Sequence, residues 1–430
     1  MEKFDVVIVG ARCAGASLAI LLARRGLHVC LLDRVHFPRE TPSTHVIQPV
    51  GAQILDELGV LGHALAAGGA RLDRLTLVNE HVRIDGVLDP DRFPTPGLCV
   101  RRLTLDALLV DAAADAGAEV RTGCRVSGVL RDETDRVVGV ETMGGAVFAD
   151  LTVGADGVHS TVAATVDADE YLGTPPGRIP AWAYFEGVGD AEGRLRIGRI
   201  GNLAFLASPT DGGLYMVAVA VDATDAARFH ADRRANYAEA VTCWPELADL
   251  IAGSQRVGPI RVMADWRGYF RRSAGPGWAL VGDAGHFKDF AAAQGISDAL
   301  RQSDRLADAI DVVGDPSVLD ARLQQWWRWR DRDAYAMSWL AQDMGAPGAS
   351  SPLITNVMRE IADDGAATRQ LLQVLNHELA PSKLFTVRRL LKAAARTVVE
   401  NPRAMLATVR EIAGRIGAEA ARMAGRRALR

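Results

Sequence analysis

Residues 4–33 read FDVVIVGARCAGASLAILLARRGLHVCLLD, and this stretch decides the fold. Phe4 to Val9 is a short apolar, β-branched run of the kind buried in a parallel sheet. Ala16 to Arg25 has helical periodicity and stops at Gly26. His28 to Leu32 is a second apolar strand, closed by Asp33. The order strand, glycine turn, helix, strand, acid is a βαβ unit built to hold a dinucleotide. Gly10 permits the tight turn, and Gly15 lets helix and strand pack closely. The helix N-terminus offers free N–H groups and a positive dipole end to a pyrophosphate. Asp33, 23 positions after Gly10, can accept hydrogen bonds from ribose hydroxyls. Arg12 stands where G-x-G-x-x-G has its middle glycine. It either points outward or helps neutralise the phosphates.

Two further stretches carry the same grammar. Leu151 to Val162, LTVGADGVHSTV, is an apolar strand running into Gly154, Asp156 and Gly157. Gly275 to Ala299, GPGWALVGDAGHFKDFAAAQGISDA, is another apolar strand ending in Gly282-Asp283, with a helix start at Gln294-Gly295-Ile296. In this order and spacing the three motifs resemble the flavin-dependent aromatic hydroxylases of the para-hydroxybenzoate hydroxylase type. The resemblance covers roughly residues 1–300. Ser43-Thr44-His45, after Phe37-Pro38-Arg39, resembles a variant subgroup shared with geranylgeranyl-reductase-like flavoproteins.

That resemblance implies an α/β fold: a discontinuous Rossmann-like FAD-binding domain, an antiparallel-sheet substrate domain and a C-terminal helical extension. The expected spans are 1–75, 97–170 and 258–345 for FAD binding, 76–96 and 171–257 for substrate, and 346–430 for the helical region. It implies that Gly10, Ala11, Arg12, Ala14 and Gly15 form the pyrophosphate turn, with Asp33 and Arg34 at the ribose. Arg102 matches an arginine that reaches the FAD phosphates, and Val126 a backbone contact to adenine. Asp156 and Gly157 match the central motif that serves FAD and reduced nicotinamide. Asp283 matches an aspartate that bonds the ribityl chain. Gly295 and Ile296 match backbone donors at the pyrimidine edge, where a helix start stabilises negative charge. His45, His286 and Lys288 are candidates for catalytic contact with the flavin.

The activity implied is FAD-dependent monooxygenation of an apolar or aromatic small molecule, with NAD(P)H, O2 and a C4a-(hydro)peroxyflavin. The chain departs from the family pattern at Asp289 and Phe290, where the family carries Pro-Pro, and at Ala292, where it carries glycine. Two other readings therefore stay open: an FAD-dependent reductase or dehydrogenase of an isoprenoid- or polyketide-like substrate, and a flavin-binding protein without catalysis. The W-x-W-x-I-P motif of halogenases is absent from Trp182-Ala183-Tyr184. No G-x-S-x-G elbow or H-E-x-x-H pair is present.

Composition agrees with an ordinary globular protein: 430 residues, 49% hydrophobic and 24% charged. The five cysteines are odd in number and never in C-x-x-C spacing, so neither a disulfide framework nor a zinc site is expected, and a cytoplasmic setting is. No metal is expected. No apolar run of membrane-spanning length occurs. A net charge of -4 gives no sign of a nucleic-acid partner. Charge is unevenly spread, since residues 384–430 carry eleven Arg plus Lys against three Glu.

Between Tyr171 and Gly258 the pattern turns to short strands, for which an antiparallel sheet is expected. Trp182, Tyr184, Phe185, Phe205, Tyr215 and Met216 are candidates to line a substrate surface. Arg194, Arg196 and Arg199 are expected on a solvated strand face. Gly345 to Pro352, GAPGASSP, is expected as a linker or loop. The helices beyond it have apolar faces that could pack on the same chain, form a dimer or touch a membrane surface.

Overall fold

The computed structural model describes residues 3–190, 192–310 and 314–429. The chain divides into two compact units, each assembled from three segments: Met1–Gly69, Gly97–Pro175 and Arg267–Asp331 for the first, and Ala70–Pro96, Pro176–Trp266 and Arg332–Arg430 for the second.

The first unit is α/β. Its sheet has a parallel core in the order Trp278–Leu280, Gly145–Gly154, Lys3–Val9, Val29–Leu32, Glu119–Arg121. Strands that lie far apart in sequence thus become neighbours, as a doubly wound sheet requires. Val137–Thr142 pairs antiparallel with Gly145–Gly154, and Val126–Arg131 pairs antiparallel with Val137–Thr142. Helices Cys13–Arg24, Arg102–Asp115 and Gly295–Ala309 bury their apolar residues with Val6, Ile8, Leu31 and Val153 in one core. The alternate residues Val7, Val9, Cys30 and Leu32 face a second core with Val126, Val140 and Val162. A strand buried on both faces needs the continuous apolar run that FDVVIV supplies.

The second unit is built on a seven-stranded sheet in the order Gln255–Val262, Arg178–Glu186, Leu214–Asp222, Leu203–Pro209, Arg194–Ile200, Arg74–Asn79, Val82–Val87. All pairs are antiparallel except Arg194–Ile200 with Arg74–Asn79, which run parallel. The pleat divides the six lining candidates. Phe185, Phe205 and Tyr215 lie in a core with Phe229, Tyr237 and Leu247 of the covering helices and Trp244 of the turn between two of them. Trp182, Tyr184 and Met216 are buried yet outside that core, on the opposite face. Gly198 is required here, because a Cβ would stand 2.6 Å from the Trp244 ring.

One expectation changes in this unit. Arg196 does not lie on a solvated face: it is buried, pairs with the Asp190 carboxylate, and its NH1 donates to the Tyr215 hydroxyl at 2.8 Å. The GAPGASSP segment is a pinned loop. Arg178, 1% exposed, donates to the carbonyls of Ala346 (3.1 Å) and Gly348 (2.8 Å), and Asp222 accepts from the Gly348 N–H at 2.9 Å. Beyond it come helices Pro352–Ala362, Gly365–Leu375, Val387–Glu400 and Met405–Ala428. Among the described residues no helix is long and apolar enough to cross a membrane.

Candidate functional site

The glycine turn of the first unit is held from three sides. Gly10 adopts φ +107°, a region open to glycine, and a Cβ on it would stand 2.4 Å from the Ala155 carbonyl oxygen. A Cβ on Gly15 would stand 1.8 Å from the Gly10 carbonyl oxygen. Asp33 is buried and accepts from the N–H groups of Ala11 (2.8 Å) and Val35 (3.0 Å). Each carboxylate oxygen carries two acceptor positions, so Asp33 keeps capacity for a ribose hydroxyl after making these bonds. Arg34, next to it, is exposed.

Helix Cys13–Arg24 starts without a side-chain cap, and no acid stands in its first turn. No capping side chain therefore occupies its N-terminal N–H groups, the condition under which a helix start can take an anion. Arg12 stands at that N-cap position, half-buried, and donates to the Thr41 hydroxyl. Burial pushes the Arg12 pKa down and Asp106 opposes that shift. Arg12 has no carboxylate within ion-pair distance among the described residues. Arg102 opens the helix Arg102–Asp115 and grips Asp106 with two bonds of 2.8 and 3.1 Å. Burial lowers the Arg102 pKa, but Asp106 outweighs it and holds the guanidinium charged. Cys13 is pushed up to about 12, chiefly by burial, so it stays a thiol. Asp106 was not legible as a site residue, although its i,i+4 spacing from Arg102 is the signal that could have found it.

Asp283 follows the strand Trp278–Leu280. Protein surrounds its carboxyl closely, and burial pushes the pKa up to about 6 while Arg102 opposes. The residue is nonetheless exposed, so it lines a recess and is not packed into the core. Its carboxylate makes no hydrogen bond among the described residues. The turn around it is rigid: the Tyr269 hydroxyl donates to the Asp283 carbonyl at 2.6 Å, and Arg271 NH1 to the Ala284 carbonyl at 2.9 Å.

Helix Gly295–Ala309 likewise starts without a side-chain cap; Gly295 is exposed and Ile296 buried. Lys288 braces the loop before it: Nζ lies 2.6 Å from Asp298 and 2.7 Å from Gln294 Oε1, all three being buried. Ala293, at φ +50°, holds a left-handed conformation, and its carbonyl accepts from Gln48 Nε2 at 3.2 Å. His286 is buried with its ring centroid 4.4 Å from that of Phe270. His45 is fully buried at φ +61° in the loop before strand Val46–Ile47. Asp156 uses its carboxylate on the start of helix Thr161–Thr165, accepting from Thr161 N at 2.6 Å, beside Gly157 at φ +80°. Val126 is buried at the head of its strand.

Two uncapped helix starts, two guanidinium groups at one of them, and an unpaired carboxylate in a recess suit an extended ligand. Its anionic part would meet the cations and its hydroxylated part the acids. The family model described as an FAD binding domain matches residues 3–323. The chain belongs to the FAD-binding domain family. FAD is accordingly its cofactor, and the residues just described fit it, since Arg12 and Asp283 are polar groups with partners still to make.

Among curated relatives, 6-methylpretetramide 4-monooxygenase of Streptomyces rimosus is 37% identical over 173 residues, covering 37% of this chain and 39% of that protein. The match thus spans about two fifths of that relative. Menaquinone reductase of Mycolicibacterium smegmatis is 27% identical over 320 residues, covering 66% of this chain and 70% of that protein. Among solved structures, the flavin-dependent brominase Bmp2 superposes with a TM-score of 0.72 at 20% identity, over 93% of this chain and 99% of that one. That likeness is one of fold.

Proposed function

We propose that this FAD-binding chain is a monooxygenase that takes electrons from NAD(P)H and hydroxylates or epoxidises an apolar or aromatic small molecule with O2. When bound, FAD supplies the electron storage and oxygen activation that no side chain can supply. The protein's part is binding, orientation and electrostatics. Gly10, Ala11, Ala14 and Gly15 leave room and N–H groups for the diphosphate, with Arg12 and Arg102 supplying charge. Asp33 and Arg34 take the adenosine ribose, and Val126 lends backbone to the adenine. Asp283 accepts from ribityl hydroxyls, and Asp156 and Gly157 shape the turn beside it. Gly295 and Ile296 present N–H groups to the pyrimidine edge, and Lys288 stiffens the loop ahead of them.

The observation that carries the reading is Asp283: an exposed carboxylate without a hydrogen-bond partner among the described residues, in a turn held by Tyr269 and Arg271, its pKa raised to about 6 by burial. Such a group is stabilised by hydroxyl donors. Trp182, Tyr184 and Met216 offer the apolar sheet face suited to an aromatic substrate. The Trp182 indole N–H is buried without a hydrogen-bond partner among the described residues, which leaves one donor for a substrate oxygen. The five cysteines are free thiols, in keeping with a cytoplasmic setting.

One observation favours reduction instead. Asp289 and Phe290 replace the two prolines, Asp289 accepts from the Ala291 N–H at 2.9 Å, and the longest of the cited sequence matches is to a protein named menaquinone reductase. Turnover with NAD(P)H, isotopically labelled O2 and a panel of polycyclic phenols and prenylated quinones separates the two. Label in the product supports oxygenation. A reduced, unlabelled product formed without O2 supports the reductase.

A further inference from the structure

We infer that the C-terminal helices form an interfacial docking surface for an anionic lipid bilayer. Helix Met405–Ala428 is about 36 Å long at 1.5 Å per residue, and its two sides differ in kind. One side is engaged with the second unit. Thr408 is buried, Glu411 accepts from the Ser351 hydroxyl at 2.8 Å, and Arg422 grips Asp343 with bonds of 2.8 and 2.9 Å. The other side is apolar and uncovered: Leu406 is 68% exposed, Val409 57%, Ile416 52% and Met423 54%. At helical periodicity Val409, Ile416 and Met423 fall on one stripe, within about 40° of one another. Helix Val387–Glu400 adds exposed Val387 (64%) and Leu391 (55%), one turn apart.

Charge decides what covers this face. Lys383, Arg388, Arg403, Arg410, Arg426 and Arg427 are all exposed, and none has an ion-pair partner among the described residues. The acids of the same stretch are spent: Glu400 pairs with Arg359 and Arg396, Glu411 with Arg415, and Glu419 lies beside Arg422. Among the described residues this stretch therefore presents apolar side chains and cations without ion-pair partners, while each of its acids lies beside an arginine. A second copy seated on it would bring like charges together in a low-dielectric contact, which costs several kcal/mol. A bilayer carrying anionic headgroups accepts both components: the apolar stripe enters the acyl boundary while the arginines stay among the phosphates. The helix lies in the interface plane and spans nothing, in accord with its mixed composition.

The test is flotation of the purified, FAD-loaded protein with phosphatidylcholine vesicles, with and without phosphatidylglycerol. Binding is expected only where phosphatidylglycerol is present, and high salt should release it. Arg403→Ala with Arg410→Ala should weaken binding about fivefold for each charge removed. Val409→Asp with Ile416→Asp should abolish it, while thermal melting and flavin content stay as in the parent. Equal partition onto the two vesicle types, or full binding by the Asp double variant, overturns the proposal. So does a dimer in light scattering that Val409→Asp dissociates, since a second copy then owns the face.

Discussion

The Ala11 backbone N–H donates to Asp33 Oδ2 at 2.8 Å, so the acid that ends the second strand fastens the glycine turn that follows the first. The same carboxylate takes the Val35 N–H on its other oxygen. Asp33 is thus both a structural clamp and a candidate ribose acceptor, and its removal should register in two measurements at once.

Asp33→Ala should lower thermal stability of the flavin-free protein by about 1.5–3 kcal/mol, the range for a lost hydrogen bond to a charged group. FAD affinity should fall as well, by about tenfold or more. Melting without flavin, and titration of flavin fluorescence, read these separately. Loss of affinity with no loss of stability would show that the clamp has no weight.

Gly15→Ala should be among the most damaging single-methyl additions in the chain, because the new Cβ would meet a backbone carbonyl oxygen at 1.8 Å. Backbone cannot swing away as a side chain can. A penalty at or above the usual ~1–3 kcal/mol for overpacking is expected, read as a drop in the denaturant midpoint. Gly26→Ala is the contrast, since nothing lies within 4 Å of its Cβ position and only its φ of +83° resists.

Asp283 gives the pH dependence a definite sign. Its carboxyl titrates near 6 in the folded chain against 3.8 in the reference state. Between those values the native state holds the proton more tightly, so this group's contribution to stability is lost as pH rises from about 4 to about 6. Exposure and solvent screening reduce the size of the effect. Asp283→Asn should flatten that segment of the stability curve in flavin-free protein, as measured by melts at stepped pH. A wild-type curve that rises through the same window with the same slope in the variant would refute the assignment.

Arg196→Ala leaves the buried Asp190 carboxylate without its cation and strips the Tyr215 hydroxyl of a donor. Breaking one member of a buried pair costs about 3–5 kcal/mol, far beyond a surface substitution. Arg194→Ala, whose partners Asp85 and Glu192 are solvated, should cost under about 1 kcal/mol. Paired denaturation curves of the two variants test the contrast.

Trp182→Phe removes a buried N–H that none of the described residues bonds, so stability should hold within about 1 kcal/mol or rise. Substrate KM should increase if the indole donates to substrate, with flavin content unchanged. Steady-state kinetics on whichever compound of the proposed panel turns over, beside a melt, decides this.

The local parts of this protein were legible in its residues. The run FDVVIV, the glycines at 10 and 15, and the acid at 33 each answer a requirement within a few turns of chain: buried strand, tight turn, close packing, hydrogen-bond acceptor. The turn at Gly282-Asp283 and the helix start at Gly295 were legible for the same reason. What tertiary structure alone decided depends on partners far away in sequence. Register across the seven-stranded sheet put Trp182, Tyr184 and Met216 on one face and Phe185, Phe205 and Tyr215 on the other, because a one-residue slip exchanges the faces. Burial of Arg196 followed from where Asp190 and Tyr215 came to rest, and the bonds by which Arg178 fixes the loop at Ala346 and Gly348 span about 170 residues. Asp283 shows the division most plainly. Its place in the motif was written in the chain, but the burial that raises its pKa, against the pull of Arg102, exists only once the strands have paired.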